Sequence, residues 1–186
     1  MSSSGRDVGE FVLTQAIWRE KDFEGMGWHD TTLWAIGAIP DAFEFIVDLD
    51  YIVSWVCPVP PEKKIHFWVA PATMVFQSVS DVVVDIKSRQ GTIEVNSLRR
   101  EDPVLTPNGK YVKHTYIFEC QEGTISLAAT GFEMSIRRTP AFGTQQRLNF
   151  DQRGGISFDR IRAPPVGHQV PSLDWCATEI QAIPGR

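Results

Sequence analysis

Asp48 and Asp50 are the residues of this chain whose types and spacing come nearest to a chemical site. Two positions apart on a strand, their carboxylates would share one face, with Cα atoms roughly 6.5 to 7 Å apart. Glu44 lies further along that face. Because like charges repel, the group predicts a solvated outer face, a cation site or a docking patch for a basic surface. A solvated face is the simplest of these three interpretations.

Trp28-His29-Asp30 places an imidazole beside a carboxylate, and His29 would reach Asp48 or Asp50 if the two strands pair. Neighbouring residues of a strand point to opposite faces, so His29 and Asp30 are not expected to orient each other. We interpret His29 as structural, with a role as a base or metal ligand as the alternative.

The local signatures of hydrolases and nucleotide enzymes are missing from the sequence, which has no HExxH, GxSxG or P-loop motif. We therefore predict no catalytic residue, no cofactor and no bound metal. Scattered catalytic groups leave enzyme activity open, but the sequence favours a protein that is not an enzyme.

An alternation of apolar and polar residues over positions 43–55 must position the carboxylates. Its period of two predicts a long, half-buried strand with an acidic outer face. Asp81 and Asp85 alternate with valines and an isoleucine and predict another amphipathic strand. About eight such strands at hairpin spacing predict a mainly β fold, an antiparallel sheet curled into a barrel or folded as a sandwich.

The pattern divides the chain into three regions. Residues 1–25 are a polar lead with one short element, residues 26–139 are the β domain, and residues 140–186 are an extended Pro/Gly-rich arm. The arm is expected to be separable from the fold. Within it, Ser172 would cap a short helix over residues 172–183, and Trp175 on that helix would dock on the body or on a neighbouring subunit.

The composition of the 186 residues, 42% hydrophobic and 22% charged, is typical of one folded soluble domain. A net charge of −5 without a basic stripe argues against nucleic-acid binding. The start of the chain lacks the apolar core of a signal peptide, and no stretch approaches a membrane helix, which predicts a cytoplasmic protein without membrane contact. The three cysteines, odd in number and widely spaced, predict buried thiols rather than a disulfide framework.

Three runs of residues carry a resemblance to a known family: Trp28-His29-Asp30, Asp48-Leu49-Asp50-Tyr51-Ile52 with Trp55, and residues 67–76. They are similar to an uncharacterised family of small bacterial β-rich proteins over about residues 26–138. The resemblance implies the limits of the domain and a bacterial origin. That family has no established activity, so the resemblance carries over no catalytic residue.

A non-catalytic binding domain is the function that these observations favour. The acidic face would suit a protein partner with a basic surface, and the arm would suit a second copy of the chain in a homo-oligomer. Immunity proteins that neutralise a toxin are one class that fits this description. The expected binding residues are Trp28, His29, Glu44, Asp48, Asp50, Asp81, Asp85 and Trp175.

A small-ligand binder or enzyme that uses the interior of a barrel is the alternative function. His29, Asp48 and Asp50 would supply its polar groups. An aromatic lining for a flat apolar ligand would come from Trp34, Trp55 and Trp68. Aromatic rings that interdigitate in the interior would argue against this alternative.

Overall fold

A computed structural model describes residues 11–160 of the chain as one antiparallel sheet of ten strands, which confirms the predicted mainly β class. The strands are β1 (Ile17–Arg19), β2 (Thr31–Ile39), β3 (Glu44–Val56), β4 (His66–Gln77), β5 (Ser80–Ile86), β6 (Ile93–Leu105), β7 (Val112–Cys120), β8 (Gly123–Ala129), β9 (Gly131–Ile136) and β10 (Ala141–Gly143). The helices are two 3-10 turns, Glu20–Gly25 and Pro40–Ala42, and α1 (Phe150–Arg153). Across residues 11–160, no helix is long and apolar enough to span a membrane.

The strands follow the order β1-β9-β4-β3-β2-β6-β7-β8-β5, and β10 pairs with the part of β4 that β9 leaves free. The sheet is curled but not closed, so β1 and β5 form its two ends. Sequential strands pair through hairpins at β2–β3, β3–β4, β6–β7 and β7–β8, whereas β5 pairs with β8 and not with β6, the next strand along the chain. Helix α1 is a short helix near the C-terminus, whereas the helix predicted at residues 172–183 lies outside the described residues.

Aromatic rings fill the space inside the curled sheet. The ring of Phe76 on β4 lies 5.0 Å from that of Tyr116, 5.8 Å from that of Phe118 and 6.0 Å from that of Phe132. All four side chains are at most 3% exposed. Such tilted and edge-on ring pairs are favourable and bury large areas. The aromatic side chains of this core therefore interdigitate, which argues against a ligand-binding interior.

The short N-terminal element, whose type the sequence leaves ambiguous, is β1 followed by a 3-10 turn that covers one opening of the sheet. Phe23 on this turn packs edge-on against Tyr116 and Phe132. The Tyr116 hydroxyl donates to Glu20, which also accepts from the Arg100 guanidinium. The 3-10 turn is thus held on the aromatic core by the packing of Phe23 and by the ion pair between Glu20 and Arg100.

Two of the tyrosines are buried, and their ionisation couples stability to alkaline pH. Burial raises the pKa of Tyr51 to about 12, and burial with the Glu20 hydrogen bond raises that of Tyr116 further. An unfolded tyrosine ionises near pH 10. Because the folded state holds the proton more tightly, its contribution to stability is intact below pH 10 and declines as pH rises towards 12.

We expect wild type to lose about 1.4 kcal/mol of unfolding free energy per pH unit more than Tyr51→Phe does between pH 10 and 11.5. Urea unfolding at a series of pH values measures this difference. Equal pH dependence in the two proteins would contradict the prediction.

The cysteines of the described region differ in state. Cys120 is a free, buried thiol, as predicted, and burial raises its pKa to about 11. Cys57 is disulfide-bonded, so the expectation of a thiol is wrong for this residue.

Candidate functional site

The face of β3 that carries Asp48 and Asp50 is covered by protein, and both carboxylates are 0% exposed. Residues 45–52 are all buried, so both faces of this strand are covered over that length. The cover comes from residues 141–160, here called the C-terminal strap, which return across the sheet. The predicted acidic outer face is therefore wrong for Asp48 and Asp50, although the alternation that put Leu49 in the core is right. The packed body also continues past the predicted domain limit at residue 139.

Two arginines neutralise the buried carboxylates. Arg153, 0% exposed in its side chain, donates from Nη1 and Nη2 to the two oxygens of Asp48 at 2.9 and 2.5 Å, and from Nε to Asp50 Oδ1 at 3.1 Å. Arg137 donates from Nη2 to Asp48 Oδ1 at 2.8 Å. A bidentate arginine pair of this kind is among the stronger charge-assisted contacts in proteins. The basic partner of the acidic face is the chain itself.

The remaining acceptor sites of the two carboxylates are filled by neutral donors. Asp50 Oδ2 accepts from the indole of Trp34 at 2.8 Å and from the amide of Leu148 at 2.9 Å. Asp48 Oδ2 accepts from the amide of Ser157 at 2.9 Å. Burial raises the pKa of Asp50, and the hydrogen bonds and the charge of its neighbours oppose that rise. The carboxylates are satisfied from within the chain.

The ion cluster of Asp48, Asp50, Arg137 and Arg153 therefore holds the strap against β3 and is not a reactive centre. A general base or metal ligand needs an oxygen that a substrate or ion can reach, and burial removes that access here. Among residues 11–160, no group of three histidine, cysteine or acidic side chains is arranged to hold a metal ion. The role suggested for Asp48 and Asp50 as an exposed binding patch is not supported by this burial.

Glu44 and Trp28, two further residues of the predicted binding set, are also engaged within the fold. Glu44 pairs with Arg160 at the end of the strap, with its side chain 17% exposed. Trp28 is 6% exposed and packs against Tyr51 in the core. Trp175 lies outside the described residues.

His29 lies at the surface, in a turn before β2. Its ring stacks parallel to that of Trp55, and its Nε2 lies 3.5 Å from Asp30 Oδ1. The expectation that His29 and Asp30 point apart is wrong, because β2 begins only at Thr31 and Asp30 has a φ of +64°. The side chain of His29 is 64% exposed and precedes the strand, so His29 has no place within the sheet.

The tryptophans expected to line an interior instead lie outside the aromatic core. Trp34 lies under the guanidinium of Arg153, whose carbon is 4.4 Å from the ring centre. Trp55 contacts Phe67, and Trp68 contacts Phe142 of the strap. Together they help to hold the strap and the neighbouring loops on the second face of the sheet.

Besides His29, the predicted binding residues that are exposed in the described region are Asp81 and Asp85, and both belong to β5. Within the described chain, β5 ends the order of strands and pairs with β8 alone. Its outer edge thus carries backbone N–H and C=O groups with no strand beside them. This outer edge, over residues 80–87, is called the β5 edge below. The three valines of the strand, Val82, Val83 and Val84, are 42%, 58% and 47% exposed.

One apolar row of the core ends at the β5 edge. Leu98, Phe118, Ile125 and Val84 lie in register across β6, β7, β8 and β5. The first three are at most 6% exposed, whereas Val84 is 47% exposed. The last side chain of this apolar row, Val84, is therefore only half-covered, and a further strand beside β5 would cover it.

Comparisons with known proteins find no relative of this chain. No family model, no curated protein and no solved structure matches it. The resemblance to small bacterial proteins, the bacterial origin and the cytoplasmic location all stay predictions.

The β6–β7 hairpin adds a second exposed apolar area beside this edge. Its outer part continues past the end of β8, through the pair Leu105 and Val112. The exposed side chains there are Val104, Leu105, Tyr111 and Val112, at 61%, 61%, 60% and 42%. Lys113 Nζ donates to Ser80 Oγ at 2.6 Å, which joins the start of β7 to the start of β5.

Sequence reasoning missed Arg137 and Arg153, although the strap contains a signal. Leu148, Phe150, Ile156 and Phe158 are apolar residues spaced through a segment that otherwise resembles a polar arm, although only Leu148 is buried and the other three are 39–56% exposed. Apolar residues at that density predict a segment that packs on a body. An arginine among them is a candidate partner for a buried carboxylate.

Proposed function

We propose that this chain is a non-catalytic binding domain that engages another polypeptide along the β5 edge. The observation that supports the proposal is the half-exposed Val84, where a row of otherwise buried side chains ends. A strand added at such an edge pairs its backbone with β5 and covers the exposed valines, a mode known as β-augmentation.

The energetics favour an added strand over an open edge. Covering a half-exposed valine contributes about 1 kcal/mol, so three valines supply a modest but useful driving force. Backbone hydrogen bonds along the strand add direction and register more than net energy. The exposed hairpin beside β5 extends the apolar area that a partner would contact.

The charges of the molecule also favour binding at the edge over chemistry in a pocket. Asp48 and Asp50, where a basic partner or a toxin would have docked, already pair with arginines of the chain itself. We therefore do not propose an immunity-type role. The small-ligand alternative loses Asp48 and Asp50 for the same reason, its third polar group, His29, lies at the surface, and the core aromatics occupy its interior. Asp81, Asp85 and Lys87 leave the β5 edge with charges of both signs.

Site-specific photo-crosslinking in the cells that make the protein tests the proposal. A photoreactive residue at Val83, which is 58% exposed, should give one dominant polypeptide adduct. The same residue at the exposed Lys21, on the N-terminal 3-10 turn, is the matched control and should give none. Adding Val84→Lys to the Val83 probe should abolish the adduct, because a charge then interrupts the apolar row. No adduct at Val83, or equal labelling at both positions, would refute the proposal.

A further inference from the structure

We infer that the polypeptide at the β5 edge is a second copy of this chain, paired antiparallel about a two-fold axis at Val84. This inference rests on the proposed function and names its partner. In such a pair, Val84 faces the partner's Val84. Asp81, at the bulge that begins β5, then comes level with the partner's Lys87, the residue that follows the strand. The two core rows that each end at Val84 would then meet and cover each other.

The charges of residues 81–87 disfavour the two registers next to this one. A two-fold axis at Val83 would set Asp81 against the partner's Asp85, and an axis at Asp85 would set that residue against its own copy. Like charges directly opposite one another destabilise an antiparallel pair. The axis at Val84 instead forms two Asp–Lys pairs, one on each side of the centre.

The groups that this register uses are available at the surface. The Lys87 side chain is 87% exposed, and its contact with Asp85 within the chain is a loose 4.0 Å. Asp81 is exposed and accepts a hydrogen bond from the neighbouring Ser80 hydroxyl. Opposite residues in an antiparallel pair have Cβ atoms about 4.5–5.5 Å apart, close enough for two valines to touch.

A bulge at the start of β5 limits the length of the interface. Asp81 has a φ of +55°, and the register with β8 shifts between Ser80 and Val83. Bulges and short edge strands are devices that prevent open-ended strand addition. Pairing about Val84 uses up the β5 edge of both copies, so the assembly closes as a dimer. We expect association to be weak and to depend on concentration.

Sedimentation of the full chain over a range of concentrations tests the inference. Wild type should approach twice its monomer mass as concentration rises. Asp81→Lys and Lys87→Asp should each weaken association at least tenfold, because each places like charges opposite twice. An equimolar mixture of the two variants should associate again, since one chain then offers two lysines and the other two aspartates. Lys21→Asp makes the same charge change as Lys87→Asp but away from the edge, and it should leave association intact.

A wild type that stays monomeric would overturn the inference, and so would single variants that associate normally or a mixture that fails to recover. Recovery in the mixture also shows that both variants are folded. If self-association fails while the Val83 probe still marks a different protein, the inference is wrong and the proposed function stands. An adduct within one chain, to residues 161–186, would identify the tail as the occupant and overturn the inference. If neither experiment detects a partner, both are wrong.

Discussion

Replacing Arg153 with leucine should lower the free energy of unfolding by about 3–5 kcal/mol, because the change leaves two buried carboxylates short of their main partner. Arg153 supplies three of the hydrogen bonds to Asp48 and Asp50. Of the two carboxylates, Arg137 contacts only Asp48, so it cannot replace the contact of Arg153 to Asp50. Urea unfolding followed by circular dichroism measures the loss.

Arg147→Leu is the matched control, since it removes the same charge from an exposed position of the same strap. It should change stability by less than about 0.5 kcal/mol. The Arg153→Leu variant can relieve its carboxylates by letting the strap lift and admit water, so proteolysis within residues 141–160 should become faster. Equal stability of the two variants, or an unchanged rate of cleavage, would show that the ion cluster does not fasten the strap.

Phe76→Ala should cost about 3–5 kcal/mol through a different cause, the cavity left in the aromatic core. Phe76 is 0% exposed and contacts the rings of Tyr116 and Phe118 on β7 and of Phe132 on β9, so it joins three strands of the sheet. A rigid sheet cannot collapse around the missing ring, so the loss should lie at the high end for a core residue.

Phe43→Ala removes the same ring from a side chain that is 67% exposed and should change stability by about 0.5 kcal/mol or less. Thermal unfolding of both variants checks the contrast. A small effect of Phe76→Ala would mean that the sheet curls less tightly around its core than the ring contacts indicate.

The strands could be predicted from the sequence because their signal is local. The alternation along β3 and the turn residues between hairpins identify a mainly β chain without any knowledge of what covers it. The same alternation cannot distinguish a face that meets water from a face that meets another part of the chain. Asp48 and Asp50 look solvent-exposed in sequence, and their true environment is decided by Arg153, about a hundred residues away.

The position of His29 was missed for a more local reason. The aromatic and β-branched residues after Trp28 predict a strand, but the left-handed conformation of Asp30 delays its start to Thr31. A single residue with positive φ changes which side chains are neighbours, and non-glycine residues rarely adopt it. The β5 edge could not be predicted either, since the order of strands depends on long-range pairing rather than on any one segment.

The separation between Asp48 and Arg153 has a consequence for synthesis of the protein. Chains leave the ribosome from the N-terminus, so β3 is complete long before the strap that covers its carboxylates exists. The growing chain can hydrate those carboxylates in the meantime. Final closure of the second face therefore has to wait until residues 137 to 157 have emerged. We expect nascent chains that end before Arg153 to have a solvent-accessible β3 face. Once the C-terminal strap has left the ribosome, it should cover that face.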